Sequence, residues 1–249
     1  MIELTQRGRV AVMTMRHGKV NALDIELCQE IIRCFDKLRA AAAGAVVLTG
    51  EGKIFSAGVD LIRATEGGAD YLRAFLPVLS QAFAAAFFHP APVVAAINGH
   101  AVAGGCVLAC AADRRLMARA AGRIGVTELL VGVPFPCVAF EIMRAAVAPH
   151  RFADVMFGAA TYAPDDAHAL GLVDEVVDAA LTERAVAAAE KLATLSPQAF
   201  AITKQQMRRA AEERLQRDGA RVDAVVTDIW CAPETLARMR DYVARTLKK

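Results

Sequence analysis

Short, wholly apolar runs that stop at a glycine recur through the first two-thirds of the chain, and they restrict the fold more than any other feature. Val93–Ile97 (VVAAI) ends at Asn98-Gly99, and Ala45–Leu48 (AVVL) ends at Thr49-Gly50. A run this short, with no polar alternation, reads as a strand buried on both faces, the habit of parallel sheet covered by helices. Helical spacing lies between such runs: Leu23, Leu27, Ile31, Phe35 and Leu38 share one face of a segment opened by Asp24. A second helix is predicted around Tyr71–Phe87, stopped by His89-Pro90-Ala91-Pro92. Arg9–Met15 and Arg114–Ala118 read as further strands, and Gly104–Ala112 as a helix. The alternation predicts an α/β domain with a largely parallel sheet. Beyond Val173–Val177 the chain reads as helical. Ser196-Pro197 supplies a cap and first turn, and Leu236, Met239, Val243 and Leu247 form a stripe on the last helix. That stripe can cover the chain's own core or a neighbouring subunit.

The chain has 249 residues, enough for one large domain or a domain with an appendage. At 55% hydrophobic and 22% charged it is not a disordered chain. With 29 basic and 27 acidic residues it lacks the electrostatic footprint of a nucleic-acid binder, although a local basic cluster for a phosphorylated small molecule is permitted. The six cysteines show no C-x-x-C pair and no zinc-like spacing to the five histidines, so no metal site is argued. They read as small buried hydrophobes in a reducing compartment. Met1-Ile2-Glu3-Leu4 does not open a secretory leader, and Ala82–Phe88 and Ala101–Ala112 are too short or too glycine-laden to span a bilayer. A soluble, cytoplasmic protein with no membrane partner is expected.

Chemistry gathers where strands end. Phe55-Ser56-Ala57-Gly58-Val59-Asp60-Leu61 follows the first buried strand, and Asn98-Gly99-His100-Ala101-Val102-Ala103-Gly104-Gly105-Cys106 follows the second and enters a helix. Ligands of open α/β sheets bind beyond the carboxyl ends of strands, and small residues there let backbone N–H groups approach them. Two such turns face to face offer two donors to one developing oxyanion, and a helix start near Gly104 adds its positive dipole end. Plain turn packing is the competing reading of each turn alone. Neither turn has the G-x-G-x-x-G spacing of a dinucleotide site, and no Walker pattern is present. Glu128, between apolar neighbours in Gly125–Pro134, reads as a buried general base or as a capping glutamate. His100 reads as a hydrogen-bonded structural residue, and Cys106 has no histidine placed to activate it.

Together these segments resemble the crotonase superfamily, the enoyl-CoA hydratase/isomerase family. The resemblance begins at Lys19-Val20-Asn21-Ala22-Leu23, continues through FSAGVDL, INGHAVAGG and GVTELLVGVPFP, and reaches Ala167–Asp174 (AHALGLVD). It implies a spiral of ββα units over residues 1–193, with a C-terminal helical region over 194–249 used in assembly of a homotrimer or a dimer of trimers. It also implies an acyl-coenzyme A thioester as substrate, with coenzyme A as part of that substrate and no separate cofactor. By position in the motifs, the oxyanion donors fall on the Val59 and Gly104 amides. Ala22, Ala57, Asp60, Leu61 and Gly105 map to the substrate lining, and Phe135 is a candidate wall of an acyl tunnel. Arg16 and Lys19 lie where coenzyme phosphates would pass.

One departure bears on the reaction. Hydratases of this family carry two glutamates, and Val107 occupies the first position while Glu128 keeps the second. Hydration needs a water activated and a proton delivered, which suits a pair of carboxylates. Moving a double bond needs one base near C2 and C4 and a dry wall. The pattern is similar to the single-glutamate Δ3-Δ2-enoyl-CoA isomerases, and isomerisation is the reaction expected from it. Two alternatives stand beside it. One is a hydratase or other enolate-forming enzyme drawing a second acid from Asp60 or Glu141, for which the plain readings are a turn residue and a solvent-facing helix residue. The other is a homologue that binds acyl-CoA without turnover.

Overall fold

The computed structural model describes residues 1–120 and 122–246, so Leu247 of the predicted stripe lies outside the described residues. In chain order the first elements are β1 (Ile2–Arg7), β2 (Val10–Met15), α1 (Ile25–Ala40), β3 (Ala45–Gly50), β4 (Ile54–Ser56) and α2 (Leu61–Phe87). They are followed by β5 (Val93–Ile97), β6 (His100–Val102), α3 (Gly104–Cys110), β7 (Arg114–Ala118), β8 (Ile124–Gly125) and a 3₁₀ turn at Glu128–Leu130. The remainder is α4 (Cys137–Ala146), α5 (Phe152–Gly158), α6 (Pro164–Ala169), β9 (Glu175–Val177), α7 (Leu181–Ala193), α8 (Pro197–Cys231) and α9 (Pro233–Thr246).

The strands sort into two sheets. A six-stranded sheet runs β1-β2-β3-β5-β7-β9, parallel except at the β1/β2 pair, and a three-stranded parallel sheet runs β4-β6-β8. Strands β1 and β2 both join the large sheet. Each of the next three units places one strand in the large sheet and the next in the small one before the chain returns through a helix, which is the α/β spiral of ββα units. The apolar runs are explained by burial on both faces. Val46 and Leu48 face the main core, whereas Ala45 and Val47 face Ala185, Val186 and Ala189 of α7. Val93 and Ala95 divide from Val94 and Ala96 in the same way.

Several boundaries move from the sequence reading. Asp24 caps α1 as predicted, its Oδ1 accepting from Leu27 N at 2.8 Å. The second helix begins at Leu61 and not near Tyr71, because Asp60 Oδ1 accepts from Arg63 N at 3.0 Å and caps it there. Gly68, at φ 61° and ψ −152°, then breaks the helical geometry, and the Gly67-Gly68 pair is what concealed the first turns. The helix read as Gly104–Ala112 ends at Cys110, and the last strand begins at Glu175. The edge strand β1 and the three very short strands of the small sheet carried no readable pattern.

Helices α8 and α9 fold back onto the chain itself. Ser196 caps α8, Trp230 Nε1 donates to Pro134 O at 2.9 Å, and Cys137 N donates to Asp223 Oδ1 at 2.7 Å. Leu236 and Met239 of the α9 stripe belong to the same core as α2, so within the described residues the stripe covers the chain's own core. All six cysteines are buried free thiols. No helix among the described residues is long and apolar enough to cross a membrane.

Candidate active site

The two predicted turns meet. Gly58 follows β4 and Gly104 opens α3, and a Cβ built on Gly58 would stand 2.6 Å from Val102 O and 3.2 Å from Gly104 N. Gly58 also sits at φ +85°, a conformation that side chains rarely adopt. Gly105 seals the contact from the other side, with a virtual Cβ 2.3 Å from Ser56 O. Glycine at both positions lets one backbone turn lie against the other.

Each donor amide belongs to a peptide whose carbonyl end is already held. Gly58 O accepts from Leu23 N at 2.7 Å, and Asp60 N donates to Leu23 O at 3.0 Å. A trans peptide is planar, with its C=O and N–H pointing opposite ways, so this bond aims the Val59 N–H away from Leu23. On the second turn, Ala103 O accepts from Val107 N at 3.1 Å, which aims the Gly104 N–H outward from the start of α3. Neither amide donates to an acceptor among the described residues. Ala103 holds its peptide at φ 51° and ψ −123°, a region costly for a residue with a Cβ, and its N–H donates to Gly125 O at 2.8 Å.

That last bond also places the acid. Strand β8 pairs with β6 beside the second turn, and Glu128 follows three residues after Gly125 in the 3₁₀ turn. Its carbonyl is held by Val131 N and Val133 N, at 3.2 and 3.1 Å. The side chain is buried, with 8% of the residue exposed, and Oε2 has no hydrogen-bond partner among the described residues. Desolvation raises its pKa to about 7, against a smaller opposite pull from the Glu128 and Thr127 amides. The β6/β8 pairing and the Ala103 N–H to Gly125 O bond set the turn that carries Glu128 beside the start of α3. Val107, on that helix, is 1% exposed and apolar.

The remaining candidates fall as follows. Ala22, Asp60 and Leu61 are half-buried around the first turn, Ala57 is exposed and donates its N–H to Val20 O at 3.0 Å, and Gly105 is buried. Phe135 is half-buried, and it faces a groove of about 570 Å³ between α4, α5 and α8. Asp60 is occupied as the cap of α2. Glu141, read from sequence as solvent-facing, is instead 4% exposed, and Arg214 donates to its Oε2 through Nη2 and Nε at 2.6 and 2.9 Å. Helix α8, which brings Arg214, is too far along the chain for α4 alone to reveal the pairing. Arg16 is engaged with Glu3 and Glu51, and Lys19 is exposed. His100 is exposed, its Nδ1 accepting from Arg123 N at 3.3 Å, as a structural histidine would. Two residues that stand inside the quoted motifs, but to which the sequence reading gave no role, support the site. Asn21, at φ 47°, and Ser56, fully buried, lie under the first turn. Asparagine's tolerance of positive φ was the one signal available.

Two facing backbone amides with no acceptor among the described residues can hold an oxyanion, and a buried acid lies on the turn that follows β8. The sequence model of the Enoyl-CoA hydratase/isomerase family matches residues 5–229, and the chain belongs to that family, within the crotonase superfamily. Membership implies acyl-CoA thioester substrates. A putative enoyl-CoA hydratase of Thermus thermophilus is 36% identical over 206 residues, covering 80% of this chain and 81% of the relative. The mitochondrial enoyl-CoA delta isomerase 1 of Rattus norvegicus is 29% identical over 220 residues, covering 86% and 76%. The crystal structure of human mitochondrial delta3-delta2-enoyl-CoA isomerase superposes with a TM-score of 0.94 over 99% of this chain and 98% of that one; at 23% identity this is a likeness of fold alone.

Proposed function

We propose that the protein moves the double bond of a 3-enoyl-CoA to the 2-position. Glu128 removes the C2 proton. The electrons pass into a dienolate whose charge rests on the thioester oxygen, between the Val59 and Gly104 amides. The same carboxylic acid then returns the proton to C4, leaving the double bond between C2 and C3. The observation that carries this reading is the buried Glu128, its Oε2 unpartnered among the described residues, with Val107 in place of a second acid. The other acids offered for hydration are occupied, Asp60 by a helix cap and Glu141 by Arg214. A pKa near 7 suits one group that must both take and give a proton at neutral pH.

Hydration is the second reading, favoured by the name of the Thermus thermophilus relative. Side-by-side assays separate the two: the 3-enoyl-CoA is expected to isomerise at least tenfold faster than the 2-enoyl-CoA hydrates. A faster hydration would reverse the assignment. Binding of both thioesters with no turnover of either would favour the non-catalytic homologue.

The homotrimer or dimer of trimers that the family resemblance implies is proposed to form through the groove that Phe135 faces. Leu129, Phe157, Val225 and Ile229 expose 44, 79, 55 and 40% of their surface there. An apolar patch of this kind marks an interaction surface. Phe157→Asp is expected to yield monomers by light scattering, and a fully trimeric variant would place the subunit contact elsewhere.

A further inference from the structure

We propose that Asn21 is the positioning residue of the first oxyanion donor, acting on the Val59 amide through Leu23 and Gly58 without touching substrate. The inference rests on Val59 being a donor, as proposed above.

All the polar groups of Asn21 are used in one small region. Its N–H donates to His17 O at 3.0 Å, and its Oδ1 accepts from His17 N at 2.8 Å, closing the turn that precedes it. Its Nδ2 donates to both Ile54 O and Phe55 O at 3.2 Å, stapling that turn to β4. Its own carbonyl accepts from Ser56 Oγ at 2.7 Å, and the same hydroxyl accepts from Gly58 N at 3.2 Å. Two residues later Leu23 holds the Gly58 carbonyl, which fixes the plane of the Gly58–Val59 peptide. The donor's direction therefore depends on Asn21 from both sides: through Leu23 on the carbonyl of that peptide, and through Ser56 on the amide before it.

Side-chain chemistry leaves few substitutes. The positive φ is tolerated by asparagine, aspartate and glycine. Only asparagine adds the two donors that Ile54 O and Phe55 O require, because aspartate would set a charge against two carbonyl oxygens. At 4% exposed, Asn21 contacts the backbone of its own chain.

The test is the carbonyl stretch of bound, ¹³C-carbonyl-labelled butyryl-CoA in difference infrared spectra, read together with kcat and KM for the 3-enoyl-CoA. Wild-type protein is expected to shift the band to lower frequency. Asn21→Gly, which keeps the backbone conformation and deletes the staple, is expected to lose at least half of that shift. Its kcat should fall by about 10- to 100-fold with KM within about twofold, as for a misaimed donor. Ser56→Ala, a smaller change, should lose less in the same direction, and it decides the matter should Asn21→Gly fail to fold. A general loss of stability would not move the band in the folded fraction. A full shift and near-wild-type kcat in both variants would overturn the role of Asn21 alone. No shift in the wild type would overturn the donor reading beneath it.

Discussion

Glu128 and Glu141 stand on neighbouring elements, and both are nearly sealed from solvent at 8% and 4%. Glu141 is clamped by the Arg214 guanidinium, with Arg144 Nε a further 3.6 Å contact. Among the described residues Glu128 forms no ion pair, and its Oε2 is bonded to nothing. Burial is common to both, so burial does not separate a reactive acid from a structural one. The partner does. Glu141 is taken up by its guanidinium, whereas Glu128, desolvated and without such a partner, has its pKa raised to about 7.

The comparison breaks most visibly in activity. Glu128→Gln is expected to lower kcat by about 100- to 10,000-fold, with acyl-CoA affinity nearly unchanged, while wild-type kcat/KM rises with pH through a midpoint near 7. A Gln variant that turns over at the wild-type rate would move the base elsewhere.

Stability gives the next largest effect. A carboxyl raised from 4.5 to about 7 on folding binds its proton more tightly in the folded chain. It therefore leaves stability untouched below about pH 4 and lowers it progressively as pH climbs through 7, by roughly 3 kcal/mol in all. Urea titrations of wild type and Glu128→Gln at pH 5 and pH 8 should show the variant gaining relative to wild type at the higher pH. A difference that does not change with pH would remove the buried, proton-binding Glu128 from the account.

Arg214→Met sharpens the contrast from the other side by leaving Glu141 buried with only the distant Arg144. The Arg214 side chain is 33% exposed, so the loss is expected to be about 2 kcal/mol, smaller than for a sealed pair. Adding Glu141→Gln to Arg214→Met should recover part of the loss. A loss unchanged by the second substitution would mean that packing of the arginine stem, and not its charge, is what matters.

How much of this was legible follows from distance along the chain. Asp24 and the Leu27–Leu38 face announced α1 because a helix is written in spacings of three and four. Val93–Ile97 announced a doubly buried strand for a similar local reason. The strands of the small sheet have two or three residues, too few for any period, and they exist because the large sheet hands the chain over at each turn. The candidate donors could be placed from matched motifs, but what aims them could not. Leu23 reaches Gly58, and Asn21 reaches Ile54 and Phe55, across α1 and β3. Glu141 misled for the same reason, since its partner arrives on α8.

Both groups proposed to hold the anion are main-chain amides, set by glycine turns and by the hydrogen bonds of the carbonyls in their own peptides. A codon change at Glu128 or Val107 can delete or add an acid while both amides survive, and at either amide only proline would erase the N–H itself. The thioester cradle and the proton chemistry are thus separately heritable. A lineage built on this backbone can exchange one reaction for another without first losing its grip on the substrate.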